Sequence, residues 1–156
     1  MTGPLVAVLD YGIGNLRSAQ KALQRVGADS RLTADPELVA RADGVVLPGV
    51  GAFGRCVEAL ASSGLTGVAT EAALRAADGG RPFLGICLGL QLLFDRSFEG
   101  GEHRGLGVLA GEVLRFDVPA PLKVPHMGWN ELQLRKPAPI LEGINSGDHL
   151  YFVHSY

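Results

Sequence analysis

Short apolar runs alternate with helical stripes along the first half of the chain. Leu5 to Leu9 is continuously apolar, which predicts a strand buried on both faces. The period then changes: Leu16, Ala19, Leu23 and Val26 recur at three- and four-residue steps. That spacing predicts a helix over 15–26, with Asn15 capping its start and Gly27 stopping it. Asp35-Pro36 opens a short second helix. Val45 to Leu47 is the next strand, and after a glycine-rich turn at Gly49 to Gly54 the residues Phe53, Cys56, Val57 and Leu60 form one helical stripe. Phe83 to Ile86 is again strand-like, followed at once by a helix from Leu88 to Phe94. Strands and helices alternating at this spacing predict an α/β fold with right-handed crossovers and a largely parallel, doubly wound sheet.

From about Gly100 the texture changes. A glycine-rich loop runs through Gly107, Glu112 to Phe116 is strand-like, prolines stand at 119, 121 and 125, and a strand is expected near Leu132. His149 to Val153 is a final strand. This half is expected to add antiparallel strands and loops to the sheet. With no internal repeat or low-complexity linker, residues 1–156 read as one domain that changes architecture.

Composition narrows the class of ligand. Of 156 residues, 47% are hydrophobic and 19% charged, enough apolar material for a folded core. The net charge is −2 and the 14 Lys and Arg are outnumbered by acids, so the charge footprint that a nucleic acid requires is missing. The apolar runs are strand-sized, far below the roughly 20 residues of a membrane-spanning helix. Nothing at the N-terminus resembles a secretory signal. A soluble, cytoplasmic protein is therefore expected. The two cysteines, Cys56 and Cys87, stand in different settings and do not make a disulfide framework.

Chemistry concentrates at Gly85-Ile86-Cys87-Leu88-Gly89. A cysteine at a strand-to-helix junction, with a glycine two residues away on each side, is the thiol version of a nucleophile elbow. The positive end of the following helix favours the thiolate, the reactive form. The backbone N–H of Leu88 points toward the same spot and is placed to receive a tetrahedral intermediate's oxygen. Gln91 lies four residues on, along the same helical face, and leans back toward the thiol. Free cysteines usually serve as small core hydrophobes, and that is the better reading for Cys56 on its apolar stripe. Pro48-Gly49-Val50-Gly51 follows a neighbouring strand, whose carboxyl end lines the same crevice as that of the cysteine strand. Its amides complete an oxyanion hole, or it is an ordinary glycine turn. Tyr11-Gly12-Ile13-Gly14-Asn15 also joins a strand to a helix, but Arg17 stands where a dinucleotide-binding turn needs its third glycine.

Taken together, the elbow with Gln91 and the Pro-Gly-Val-Gly loop resemble the class I glutamine amidotransferases. Tyr11-Gly12-Ile13-Gly14-Asn15-Leu16 and Pro125-His126-Met127-Gly128-Trp129-Asn130 are similar to the histidine-biosynthesis branch of that class, and the resemblance runs through Tyr151-Phe152-Val153-His154-Ser155-Tyr156. It implies a three-layer α/β/α fold with a mostly parallel central sheet and antiparallel additions in the second half, with neither metal nor cofactor. It further implies that Cys87 attacks the side-chain amide of glutamine to form a glutamyl thioester. Backbone amides at Val50 or Gly51 and at Leu88 hold the oxyanion. Gly49, Gln91 and Glu99 bind the substrate, and Ser155 and Tyr156 contact its carboxylate. The ammonia passes to a (β/α)8-barrel cyclase subunit that makes imidazole glycerol phosphate and aminoimidazole carboxamide ribotide. The partner faces Tyr11, Gly12 and Asn15 and the segment His126, Met127, Gly128, Trp129 and Asn130. On residue physics alone, Trp129 packs in the core and Asn15 only caps its helix.

A cysteine nucleophile needs a base, normally a histidine oriented by a carboxylate. In the family this is a His-any-Glu motif beyond the Val-His-Ser-Tyr segment, and the sequence ends at Tyr156. His126 and His154 match positions used otherwise, and His103 and His149 stand in polar loop contexts. None is followed by a glutamate two residues on. The expectation is a chain incomplete at its C-terminus. The alternatives are a non-catalytic binding or regulatory subunit of the same fold, and an amidotransferase that feeds another synthase.

Overall fold

The computed structural model describes residues 3–156, which form two compact units, one running to Leu114 and one from Arg115 to Tyr156. In the first, a four-stranded parallel sheet has the order β2-β1-β3-β4, built from β1 (Leu5–Leu9), β2 (Asp29–Thr33), β3 (Gly44–Gly49) and β4 (Phe83–Cys87). Helices α1 (Leu16–Arg25), α2 (Pro36–Arg41), α3 (Phe53–Ser62) and α4 (Thr66–Ala77) fill the crossovers; the first three were expected from the alternating pattern and α4 was not. The path from β1 to β2 runs one way across the sheet and the path from β3 to β4 runs the other. With right-handed crossovers, this reversal puts α1 on one face and α3 and α4 on the opposite one. It also makes the carboxyl ends of β1 and β3 the topological switch point, where an open α/β sheet forms its crevice.

The core lies along β1 and β3. Ala7, Val8, Leu9 and Leu47 are fully buried, and all six residues of β3 are buried. The stripe read on α3 is the face that it buries: Phe53, Cys56 and Leu60 are at most 1% exposed. A side chain of the size of Phe53 or Leu60 contributes roughly 1.5–3 kcal/mol when withdrawn fully from water. Asp35 caps α2 as expected, its Oδ1 accepting from the Glu37 N–H at 2.9 Å.

Other expectations are corrected. Asn15 precedes α1 but makes no side-chain cap, and Val26, placed on the buried stripe, lies past the helix end at 81% exposure. The helix expected from Leu88 to Phe94 is the single turn α5 (Leu88–Gln91), because Phe94 to Ser97 is drawn off as β5. The strand expected over Glu112 to Phe116 is β7 (Leu109–Val113), and β5 pairs with it in parallel and with β6 (His103–Arg104) antiparallel. These three strands form their own sheet and do not extend the central one. Compactness divides the chain at Arg115, later than the change of texture near Gly100. The strand expected near Leu132 is β8 (His126–Glu131), which pairs antiparallel with β9 (His149–His154) in the second unit.

Candidate active site

Cys87 is both the last residue of β4 and the N-cap of α5. Its backbone has φ 56° and ψ −119°, and among the described residues it is the non-glycine residue with positive φ. Holding an L-residue there costs on the order of 1–3 kcal/mol, and the flanking glycines show how the cost is sustained. A Cβ on Gly89 would stand 1.8 Å from the Leu47 carbonyl oxygen, and one on Gly85 would stand 2.5 Å from the Leu90 Cα. The turn is thus wedged against β3 and against its own helix, which forces the thiol outward, where it is exposed. This is the geometry of a nucleophile elbow. Because α5 is one turn of four residues, it sums few peptide dipoles, and the long helix end expected behind the thiol is not there.

The ladder of β3 and β4 puts Gly49 directly opposite Cys87. Adjacent strands lie about 4.8 Å apart, so the loop that continues through Val50 and Gly51 begins beside the thiol. Leu88 opens α5, so its N–H has no carbonyl within the helix to satisfy it. Gln91, half-buried, closes the same turn four residues after Cys87. The elbow, the loop and Gln91 are therefore assembled within the first unit.

Behind the loop sit two side chains: Tyr11, which sequence reasoning placed elsewhere, and Cys56, which is in the core as expected. Tyr11 was expected on a partner surface, but its side chain is 4% exposed and its hydroxyl donates to the Pro48 carbonyl at 2.6 Å. A buried phenol with its hydroxyl so engaged is turned away from any partner, which leaves Gly12 and Asn15 as the exposed part of that turn. Cys56 is fully buried and its thiol donates to the Val50 carbonyl at 3.3 Å. Burial pushes the Cys56 thiol up, only partly offset by its hydrogen-bonding surroundings, and Glu99 and Cys87 add to the rise. Burial likewise pushes the Tyr11 phenol up, with Cys56 adding to it. Glu99, expected as a substrate contact, accepts from the Phe53 N–H at 2.8 Å and so closes the N-terminus of α3. His103 is not in a loop: it lies on β6 with its ring over Gly54, 6.5 Å between centroids from Phe53.

Both raised values concern groups that the fold keeps neutral. The unfolded chain releases these protons near the ordinary values of 9 for cysteine and 10 for tyrosine, while the folded protein holds them. The neutral pair is harmless below that range, and stability falls as pH rises above it. Thermal midpoints measured between about pH 7 and 11 should therefore decline more steeply in the wild type than in Tyr11→Phe with Cys56→Ala. Equal slopes would contradict this account.

In the second unit, strand alternation divides the 126–130 segment between two faces. Met127 pairs with Val153 and Trp129 with Tyr151, and all four are exposed, Trp129 by 71%. The Trp129 and Tyr151 rings meet edge to face at 5.6 Å. Trp129 is therefore a surface residue and not a core one. Tyr151 and Val153 were missed as surface candidates, although the period-two pattern of β9 contains the signal. On the alternate positions, the His126 Nδ1 lies 3.1 Å from the His154 Nε2, and the His154 Nδ1 lies 3.1 Å from the Tyr156 carbonyl. His149 stands on β9, its Nε2 3.9 Å from Glu131. Ser155 and Tyr156 follow β9, and the Ser155 carbonyl accepts from the Phe116 N–H at 2.8 Å.

Among the described residues no group of histidine, cysteine and carboxylates is placed to hold a metal, and no helix is long and apolar enough to cross a membrane.

Comparison with known proteins identifies this arrangement. The family described as "Glutamine amidotransferase class-I" matches residues 7–156. The imidazole glycerol phosphate synthase subunit HisH of Syntrophotalea carbinolica is 52% identical, over 97% of this chain and 74% of its own length. The subunit of the same name from Aquifex aeolicus is 52% identical over 96% of this chain and 70% of its own, and that of Rhodopirellula baltica 48% over 97% and 72%. Among solved structures, one described as a glutamine amidotransferase superposes with a TM-score of 0.67 at 23% identity, covering 95% of this chain and 70% of the other. A second, from Thermoplasma acidophilum and described as "a putative gmp synthase subunit a protein", gives 0.63 at 19% identity, covering 99% of this chain and 66% of the other. The fold, the elbow and these relatives agree that the chain belongs to the class I glutamine amidotransferase family, among the relatives of imidazole glycerol phosphate synthase subunit HisH.

Proposed function

We propose that this chain is the glutaminase subunit of an imidazole glycerol phosphate synthase and that Cys87 is its nucleophile. The observation that carries the reading is the elbow. A lone cysteine with positive φ, wedged by glycines that admit no side chain and facing a glycine loop on the next strand, is a costly arrangement with no packing benefit. The Cys87 sulfur attacks the amide carbon of glutamine, and the carbonyl π electrons move to oxygen, where the N–H groups of Leu88 and of Val50 or Gly51 receive the negative charge. The proton that the thiol gives up passes to the amide nitrogen, the C–N bond breaks to expel ammonia and leave a glutamyl thioester, and water then cleaves the C–S bond to give glutamate and restore the thiol. Gln91 and Gly49 border the substrate at the elbow.

The ammonia serves a cyclase subunit with a (β/α)8-barrel, which makes imidazole glycerol phosphate and aminoimidazole carboxamide ribotide for histidine biosynthesis in the cytoplasm. Gly12, Asn15 and the segment around Trp129 face that partner. The identity of about half of all residues with subunits of that name supports this choice over another synthase.

Intact mass after incubation with a diazo-ketone analogue of glutamine tests the nucleophile, with Cys87→Ala as control. A single adduct is expected in the wild type and none in the variant. No adduct on folded wild-type protein would favour a non-catalytic binding subunit.

A further inference from the structure

We infer that Cys56 and Tyr11 are positioning residues for the oxyanion loop, gripping two of its carbonyls from behind. Tyr11 comes from the end of β1 and holds the Pro48 carbonyl at 2.6 Å; Cys56 comes from α3 and holds the Val50 carbonyl at 3.3 Å. Both donor side chains are buried; the Tyr11 bond is buried with them and has no water as a competitor, while the Cys56 bond is part-buried and holds Val50 from its inner side. The chain between the two grips is the stretch that starts opposite Cys87.

A peptide unit is planar and trans, so fixing its carbonyl fixes the opposite direction of its N–H. The Cys56 bond therefore sets the Val50–Gly51 peptide and aims the Gly51 N–H. The Tyr11 bond sets the Pro48–Gly49 peptide. Between them lies the peptide that carries the Val50 N–H, oriented by two clamped neighbours. Gly51, at φ 92°, has no side chain to resist rotation, so the loop's orientation depends on these external grips. Neither residue needs to touch substrate. Removing the thiol would also release the carbonyl of the half-exposed Val50, which can then turn toward water and rotate its peptide.

This inference rests on Cys87 as nucleophile, and the test separates the two. The aldehyde analogue of glutamine adds the Cys87 thiol across its carbonyl: the C–S bond forms, the π bond breaks, and the oxygen that takes the proton occupies the oxyanion site. Iodoacetamide alkylates the same sulfur by displacing iodide and makes no oxyanion. Loss of an oxyanion donor costs about a hundredfold or more, and a donor that is misaimed but present should cost about tenfold.

Cys56→Val is therefore expected to weaken the aldehyde adduct about tenfold while Cys87 alkylation by iodoacetamide, followed by peptide mass, stays within about twofold. Cys56→Ser, which restores a donor, should recover most of the loss, and Tyr11→Phe should reproduce it. Equal losses in Val and Ser, or a parallel fall in both chemistries, would mean that Cys56 only packs. Wild-type protein that forms no Cys87-dependent aldehyde adduct would overturn the nucleophile assignment itself, and the positioning role with it.

Discussion

Gly89→Ala is expected to abolish labelling of Cys87 and to lower the thermal midpoint markedly. The added Cβ would stand 1.8 Å from the Leu47 oxygen and 2.7 Å from its carbonyl carbon. Both are backbone atoms of a fully buried residue in the middle of the sheet, so there is no flexible side-chain tip to move aside. Overpacking in a core costs about 1–3 kcal/mol when side chains can shift, and a clash with fixed backbone lies at or above the top of that range. The relief available is for α5 to lift off β3, which carries Leu88 and the Cys87 elbow with it. Gly67→Ala is the matched control, since its Cβ would meet nothing within 4 Å and its site is helical. That change should be neutral or stabilise by up to about 1 kcal/mol, with labelling intact. Calorimetry and intact mass on the two variants decide the matter. Labelling of Gly89→Ala at the wild-type rate would mean that the close approach of α5 and β3 does not shape the elbow.

The second large effect belongs to the β8–β9 face. Trp129→Ala should reduce affinity for the cyclase subunit by more than about thirtyfold, with Tyr151→Ala next, because exposed aromatics that become buried on association dominate interface energies. Trp129, Tyr151, Met127 and Val153 form a contiguous apolar face, and Trp129 is held edge to face by Tyr151, so its ring is presented in one orientation before binding. A loss of about 2 kcal/mol corresponds to that thirtyfold change. Titration calorimetry of each variant against the cyclase measures it. Cys87 labelling of the free subunit should be unchanged, which separates docking from chemistry. Affinity within twofold of wild type in Trp129→Ala would remove this face from the proposed interface.

Much of the architecture was legible in one dimension because it is encoded by local period. The continuous apolar run of β1, the three- and four-residue steps of α1 and α3, and the Asp35-Pro36 start of α2 are each decided within a few residues. The elbow was legible for the same reason: glycine, cysteine and glycine at a change of period describe a turn whatever surrounds it. β2 escaped notice because Asp29–Thr33 is half polar, and only its pairing with β1 at the sheet edge makes it a strand. α4 escaped because its alanine-rich sequence buries only Ala69 and Ala73. α5 was overextended because Leu92, Leu93 and Phe94 continue a helical apolar pattern. What ends it is partnership elsewhere: Leu92 and Leu93 offer their carbonyls to Leu106, Val108 and Leu109, and Phe94 pairs with Leu109 in β7.

The sequence by itself therefore determined the parallel α/β frame, the position of Cys87 at a strand end and its kinship with the amidotransferases. Tertiary structure alone decided that Tyr11 faces inward, that Cys56 holds Val50, that Glu99 caps α3 and that Trp129 is exposed. The physical reason is range. A period is a property of neighbours in sequence, whereas a hydroxyl finding a carbonyl 37 residues away, or a carboxylate finding an N–H 46 residues away, depends on strand order and register.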